Sequence, residues 1–389
     1  MQKDKLKFLD TFRGIAAFYV VVGHARWLLW EGYSSGYVHH TQDYTFFQKG
    51  LVYFMGVFKY GHEAVLFFFV LSGFVIHLNY QNKFGTIQDT KSNILKFYFK
   101  RFKRIYPVLI FALILTFISD YLVLYINPNF VSGHTNYKTI NEFITFNHGF
   151  AAVFGGLFNM GRLGFPVFGS NGPLWSLAYE WWFYMFYPVL YIKRNDKTYL
   201  FYTLIFLAAL FSAFLSFRSV FFDKIFIGMA SWAIGCLLAE IYLKRTKLNL
   251  EGFVFVCLSL SILYYIYPFM GKDFFMALVF GALLSLCLKF SSFINRYAKF
   301  KKLGDMSYTL YIVHFPLLVV GSSVLMNNNH GNLPIHFGYT LLGVLGSLLF
   351  AYLFFPIFEI RIPELLENMF RNGLGKERFK QKIFRIKRP

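Results

Sequence analysis

Apolar segments long enough to cross a bilayer follow one another along nearly the whole chain. A transmembrane helix needs about 20 consecutive apolar residues, and 57% of the 389 residues are hydrophobic while only 15% are charged. Soluble domains carry roughly 25% charged residues, so the composition excludes a soluble protein. The sequence predicts an all-α polytopic membrane protein, a single bundle of about ten transmembrane helices. The predicted spans are 12–30, 53–78, 105–127, 174–192, 198–217, 225–243, 252–269, 274–290, 306–326 and 337–358.

The basic residues divide by membrane side. The net charge is +20, and 31 of the 39 Lys and Arg lie in segments that share one side when the N-terminus is inside and ten spans are counted. Cytoplasmic loops of membrane proteins carry an excess of Lys and Arg. We therefore predict two cytoplasmic termini, a membrane domain over 1–360 and a basic cytoplasmic tail over 361–389. A nucleic-acid-binding protein is not expected, since its basic residues would form one soluble patch.

Three segments need a separate interpretation. The first apolar segment is expected to stay as a helix, because it has a charged start and no small-residue cleavage site behind it. The segment 150–168 is glycine-rich and interrupted by Arg162 and Pro166, which predicts an interfacial or re-entrant piece and not an eleventh span. The longest external connection, 128–173, is either an acceptor-binding segment or a structural covering of the bundle.

The cysteines indicate neither a disulfide framework nor a metal site. All three lie inside predicted spans without paired spacing, which predicts apolar packing residues. They are Cys236, Cys257 and Cys287.

Two ionisable residues, Arg13 and His24, stand eleven positions apart in the first apolar segment. A charge in a membrane span is costly unless it faces a protein cavity. At a helical rise of about 1.5 Å per residue, the imidazole lies roughly 16 Å deeper than the guanidinium. One interpretation is a reaction inside the membrane; the other is a snorkelling arginine with a packing histidine.

A basic cluster precedes the third span and includes Arg101 and Arg104. Such a cluster at a cytoplasmic helix start serves as a topology anchor in many membrane proteins. The alternative is a phosphate clamp, because arginine forks bind phosphate oxygens bidentately. Residues three apart share a helix face, so the pair is placed to hold a phosphorylated ligand together with Arg13.

Polar residues also interrupt the second span. Ser72 precedes Gly73 and has no neighbouring base in the sequence, so helix packing is favoured over a nucleophile. His62 and Glu63 are adjacent, hence about 100° apart around a helix, and are not expected to face one small cavity together.

A carboxylate lies in the fourth predicted span. Glu180 stands six residues from the outer start of its helix, and His24 stands six residues from the outer end of the first span. Equal depth predicts that Glu180 orients the imidazole and raises its basicity, as a general base requires. An ion pair between Glu180 and Arg26 is the structural alternative.

The ninth span carries Ser307, Tyr308, Tyr311 and His314 in its inward half. The last two are three residues apart and share a helix face. This face predicts either the wall of a cofactor tunnel or an interhelical hydrogen-bond network.

Taken together and in this order, these stretches resemble the integral-membrane acyltransferase type 3 family over nearly the whole chain. The shared residues are Leu9, Asp10, Arg13, Gly14 and His24, the run FFVLSGF over 68–74, Arg101 and Arg104 in RFKRIYP, Trp175, Ser176, Leu177 and Glu180, and Ser307, Tyr308 and His314.

The resemblance implies a bacterial inner-membrane enzyme that moves an acyl group, most often acetyl, from cytoplasmic acyl-CoA to a hydroxyl of an extracytoplasmic carbohydrate. Acyl-CoA is then a co-substrate, and no tightly bound cofactor is expected. Together with the depth argument above, the resemblance assigns catalysis to His24 and Glu180. It assigns donor binding to Arg13, Arg101, Arg104, Tyr308 and His314, and supporting roles to Asp10, Ser72, Trp175, Ser176, Ser307 and Tyr311.

Two differences from relatives affect this interpretation. Leu66 stands where many relatives have an aspartate, so the polar contacts there are expected to be rearranged. About thirty residues follow the last predicted span, so the appended esterase-like domain of some relatives is not expected. An exporter of polysaccharide or lipid-linked sugar is the alternative function, because a bundle with a polar interior also suits transport.

Overall fold

The computed structural model describes residues 6–84, 90–192, 220–266 and 271–370. Within these ranges the chain is helical, and its β-structure is limited to one isolated bridge between Gly161 and Phe165. Nine long helices are α1 (Lys7–Leu28), α2 (Gly61–Phe84), α3 (Thr90–Ile126), α4 (Leu174–Ile192), α5 (Val220–Tyr242), α6 (Leu250–Ile266), α7 (Gly271–Lys289), α8 (Ser307–Asn328) and α9 (Gly338–Phe355).

Six helical stretches of the described chain are long and apolar enough to cross a membrane. They are Phe46–Tyr80, Asn93–Ile126, Lys224–Tyr242, Gly271–Lys289, Ser307–Asn328 and Gly338–Phe370. The all-helical membrane fold is thus confirmed, whereas ten spans stay a prediction. Helices α1 and α4 are not among the six, and both carry ionisable residues, as expected for helices that face a protein cavity. The predicted span 198–217 lies outside the described residues.

Helix α1 lies at the centre of the bundle, in contact with α2, α8 and α9. Close approach of the backbone brings its N-terminal half to the short helix Lys301–Asp305. A Cβ added at Gly14 would meet the Gly304 backbone nitrogen at 2.7 Å, and one at Gly304 would meet the Asp10 carbonyl oxygen at 2.1 Å. Only glycine fits at both positions. The two glycines therefore fix Arg13 beside the start of α8.

Helices α2 and α5 form the most extensive pair in the described bundle, and glycines again permit it. A Cβ at Gly73 would lie 2.0 Å from the Trp232 carbonyl oxygen, and one at Gly235 would lie 1.9 Å from that of Val70. Small residues allow membrane helices to pack this closely. Of the predicted packing pair Ser72 and Gly73, it is therefore the glycine that permits the close packing of α2 on α5.

Helix α3 is much longer than its predicted span. It has 37 residues, and the predicted phosphate-binding arginines lie within it, as their shared helix face requires. The chain after α9 continues as a helix to residue 370 and packs on this extension. Lys103 pairs with Glu367, and the rings of Phe99 and Phe370 stack 4.0 Å apart. The first ten residues of the predicted tail are therefore part of the bundle, and 371–389 lie outside the described residues.

The predicted external connection holds three short helices, Pro128–Val131, Lys138–Phe143 and Phe150–Leu157. The last has eight residues, about 12 Å at the helical rise, too short to cross a membrane. The prediction that 150–168 is not an eleventh span is therefore confirmed.

Candidate active site

A cavity of about 160 Å³ collects polar residues from four helices and the start of α8. We call it the arginine cavity, after Arg13, Arg101 and Arg104. The sequence placed these three arginines together from positions almost ninety residues apart, and the structure brings them to one cavity. Six further residues singled out from the sequence line the same cavity: Ser72, Ser176, Glu180, Ser307, Tyr308 and Tyr311.

Aromatic rings and a carboxylate hold the arginines in place. The Arg101 guanidinium lies 5.6 Å from the Phe97 ring centre and 5.5 Å from that of Tyr184. Its Nε is buried without a hydrogen-bond partner. Arg13 donates to Asp10 at 3.3 Å. Arg104 is exposed, so the arginine cavity opens to the surface at this residue.

Glu180 is the centre of a hydrogen-bond network in the arginine cavity. Ser72 donates to its Oε1 at 2.7 Å, and Tyr184 donates to the same oxygen. The Ser72 and Tyr184 hydroxyls lie 2.9 Å apart, and Trp232 Nε1 donates to Ser72 at 3.3 Å. The carboxylate thus positions Tyr184, the ring that packs against Arg101. Ser72 belongs to this network and is not merely a packing residue.

The start of α8 forms the opposite wall of the arginine cavity. The Tyr308 hydroxyl donates to the Ile105 carbonyl at 3.2 Å, and Ser307 Oγ donates to the Gly304 carbonyl at 2.7 Å. Both side chains are therefore held by backbone carbonyls of neighbouring segments. This arrangement fixes α8 against the start of the apolar part of α3.

A second cavity, of about 480 Å³, contains His24. We call it the histidine cavity. Aromatic rings surround the imidazole: the ring centres of Phe315, Trp27 and Phe143 lie 5.0, 6.2 and 6.4 Å away. Phe143 comes from the short helix Lys138–Phe143, so the predicted external connection forms part of the wall. Trp175 lines the same cavity.

His314 is the hydrogen-bond partner of His24. His24 Nδ1 and His314 Nε2 are 2.8 Å apart, and the ring planes differ by 7°. The other nitrogen of His314 lies 3.1 Å from the Leu310 carbonyl, which can only accept. His314 Nδ1 therefore carries a proton, and a neutral His314 accepts at Nε2 from His24 Nδ1. His24 Nε2 is left with a lone pair, which is what a general base requires.

The predicted pairing of Glu180 with His24 is wrong, because α4 does not begin at the membrane surface. Asn171, three residues before α4, is fully buried and donates to the Ile312 carbonyl in α8 at 3.0 Å. The start of α4 is thus level with the His314 region, and Glu180 lies six residues, about 9 Å, further along the helix. His314, predicted as a donor ligand, takes the orienting position instead.

Tyr311 and Val65 line both cavities, so the two spaces meet at these side chains. The Tyr311 hydroxyl lies 2.8 Å from Ser176 Oγ, which donates to the Pro173 carbonyl at 3.2 Å. The structural alternative for Arg26 is also wrong: Arg26 donates to the Met55 carbonyl at 3.3 Å and not to Glu180.

Several cavity residues were missed by the sequence reasoning. Tyr184 stands four residues after Glu180, one helical turn away. This spacing could have indicated that the two side chains lie together. Lys59, Arg162 and Lys224 line the histidine cavity but come from three separate segments, and no local pattern connects them. Among the described residues, no group of His, Cys, Asp and Glu is arranged to hold a metal ion.

Apolar helices that enclose arginines in one cavity and a paired imidazole in the next define an integral membrane protein whose interior is suited to chemistry on a polar ligand. The family model described as an acyltransferase domain matches residues 6–355, nearly the whole chain. The chain therefore belongs to the acyltransferase type 3 family and is an acyltransferase. Comparisons with curated proteins and with solved structures gave no match.

Proposed function

We propose that this acyltransferase moves an acyl group, acetyl in the simplest case, from cytoplasmic acyl-CoA to a hydroxyl of an extracytoplasmic carbohydrate. The observation that supports this most strongly is the meeting of two cavities at Tyr311 and Val65. One cavity carries cations suited to a phosphorylated donor. The other carries a base with a free lone pair.

The donor binds with its phosphates at the exposed end of the arginine cavity, near Arg104. Arg101 and Arg13 contact phosphate oxygens deeper inside, where the low dielectric strengthens each charge-assisted bond. The pantetheine arm spans about 15–20 Å when extended. This length matches the roughly 16 Å of helix between Arg13 and His24, so the thioester reaches the boundary at Tyr311.

The acceptor hydroxyl enters the histidine cavity and gives its proton to His24 Nε2. Its oxygen attacks the thioester carbonyl carbon, the new ester C–O bond forms, and the C–S bond breaks. The imidazolium then gives the proton to the departing thiolate, so charge and protons balance. His314 keeps Nδ1–H of His24 engaged throughout and disperses the positive charge that forms on the ring.

The test adds radiolabelled acetyl-CoA outside membrane vesicles whose cytoplasmic face is outward and whose interior encloses the glycans of the source cells. We expect label in glycan that mild base releases, as it does for O-esters. An exporter would move glycan across the vesicle without acquiring label, and that result would contradict the proposal.

We further propose about ten spans, with both termini on the cytoplasmic side of a bacterial inner membrane. A reporter fused after Pro389 is expected to read cytoplasmic, and one inserted near Gly133 is expected to read external, because 31 of 39 basic residues fall on one side in this arrangement. Alkaline phosphatase and green fluorescent protein fusions measure this. An external reading at Pro389 would require an odd number of spans.

Replacing Arg101 or Arg104 with lysine is expected to raise the Michaelis constant for acyl-CoA. Lysine keeps the charge but loses the bidentate fork, and a lost charge-assisted contact costs about 1.5–3 kcal/mol. Arg101→Lys should have the larger effect, because this arginine also packs against Tyr184. The measurement is steady-state kinetics with the acceptor saturating.

The matched control for these variants is Arg361→Lys. Arg361 is exposed and lies outside the arginine cavity, so its replacement should leave the donor constant unchanged. Equal constants for the wild type and for both cavity variants would reduce the basic cluster to a topology signal and contradict the proposed donor site.

A further inference from the structure

The histidine cavity concentrates the positive charge that the chain places away from its cytoplasmic segments. Under the predicted topology eight Lys and Arg lie outside those segments. Four of the eight line this one cavity: Arg26, Lys59, Arg162 and Lys224. In the described part of the chain, no Asp or Glu is among the residues that line it. Binding a neutral sugar does not require such a wall.

The carboxylates that the structure describes do not neutralise these cations. Among the described residues none of the four forms an ion pair. Arg26 has a carbonyl as its partner, and its Nε is buried without any hydrogen bond. Lys224 Nζ donates to the Arg162 carbonyl at 2.9 Å. The positive charge is therefore available to a ligand.

Two carboxylates lie at the starts of helices α2 and α7, next to the lining residue His62 in sequence or in space, and both are already paired. Glu63 accepts from Lys272 at 2.7 Å, and Asp273 lies 2.9 Å from His62 Nε2. His62 itself lines the cavity. Among the residues that the structure describes, these pairs leave the four cations of the wall without a compensating carboxylate.

Arg162 is held in an unusual conformation at this wall. Its backbone φ is 60°, in the left-handed region that residues other than glycine seldom adopt. The bond from Lys224 fixes its carbonyl, and its guanidinium lies 5.4 Å from the Phe143 ring centre, which is also next to His24. Strained backbone of this kind persists where the surrounding structure imposes it, and it is common in ligand-binding sites.

We propose that the acceptor is an anionic carbohydrate, with a phosphate or carboxylate close to the hydroxyl that receives the acyl group. This inference rests on the proposed function and specifies its acceptor. Arg26 and Arg162 offer forks for an oxyanion, and Lys59 and Lys224 add point charges. Since His24 lines the same cavity, binding the anion there brings a neighbouring hydroxyl to the base and fixes its orientation.

The first test compares surface and lipid-linked glycans from cells that lack the gene and carry either the wild type or His24→Ala. Tandem mass spectrometry identifies the sugar unit that bears the His24-dependent acyl group. A phosphate or a carboxylate on or next to that unit supports the proposal, and the fragment masses distinguish the two. Acylation within a neutral stretch would overturn it while leaving the proposed function intact. Absence of any His24-dependent acylation would contradict both.

The second test uses the product of the first, freed of its acyl group by mild base, as the acceptor in membranes. Lys59→Gln and Arg162→Gln are each expected to raise the acceptor's Michaelis constant about tenfold, the value of one lost charge-assisted contact. The donor's constant should stay unchanged, and Lys59→Arg should retain most of the affinity. Lys138→Gln is the control, because this lysine is 86% exposed and pairs with Glu142. Wild-type acceptor constants in both glutamine variants would overturn the proposal.

Discussion

Replacing His24 with alanine is expected to lower acyl transfer by about 10²- to 10⁴-fold, the range that general-base catalysis contributes. The variant removes the nitrogen that takes the acceptor proton, while the arginine cavity is untouched. The rate constant should therefore fall, and the Michaelis constant for acyl-CoA should stay close to that of the wild type. Transfer from labelled acyl-CoA in membranes measures both quantities.

The control for this substitution is His134→Ala. His134 is exposed in the predicted external connection and pairs with Ser132 at 2.9 Å, so its loss should leave the rate unchanged. Both variants must reach the membrane at wild-type levels. Activity of His24→Ala within a few-fold of the wild type would remove the imidazole from the chemistry and favour a packing role.

That polar residues of the apolar segments face the interior of the bundle could be predicted from the sequence because of the cost of polar groups in hydrocarbon. Arg13, Glu180 and Tyr308 lie far apart in the chain, yet each interrupts an apolar segment and must face the interior of the bundle. Lipid thus forces these polar side chains to face the protein, whereas polar surface residues of soluble proteins can face water. Their inward orientation follows from this constraint without knowledge of the helix order, whereas the cavity that each one lines does not.

Relative depth could not be predicted, because the sequence does not show where a helix begins within the membrane. Counting from Leu174 assumed that α4 starts at the surface. The preceding Ser170 and Asn171 are buried, and the chain returns to mid-bundle before the helix begins. The assumed depth of Glu180 was therefore wrong, while the depth of His24 relative to Arg13, measured along one continuous helix, was not affected.

The orienting role that the sequence analysis gave to Glu180 belongs to His314 in the structure, and Glu180 has a different role. Glu180 organises the arginine cavity: it accepts from Ser72 and Tyr184, and the Tyr184 ring packs against Arg101. His24 receives its orientation from His314 on the other side of Tyr311. A carboxylate next to the base would hold a proton-bearing imidazole strongly. A neutral imidazole partner orients the ring without adding a charge to the histidine cavity.

Replacing His314 with phenylalanine is expected to lower the rate constant on the order of 10²-fold. Phenylalanine removes the nitrogen that accepts from His24 Nδ1, so the His24 proton is free to move to Nε2, and that tautomer cannot act as a base at this atom. The fully buried position accepts a ring of similar size. Steady-state kinetics with both substrates varied measure the effect, and the Michaelis constant for acyl-CoA should not change.

His314→Gln distinguishes positioning from packing, because the glutamine oxygen can still accept from His24 Nδ1 while the ring is lost. We expect it to retain most of the wild-type rate, so the order of activities is wild type, then glutamine, then phenylalanine. A purely structural role predicts the reverse order for the two variants, since phenylalanine fills the ring site better than glutamine does. A donor-binding role would instead raise the acyl-CoA constant in both variants. Either pattern would contradict the assignment of His314 as the residue that keeps His24 Nε2 free to accept a proton.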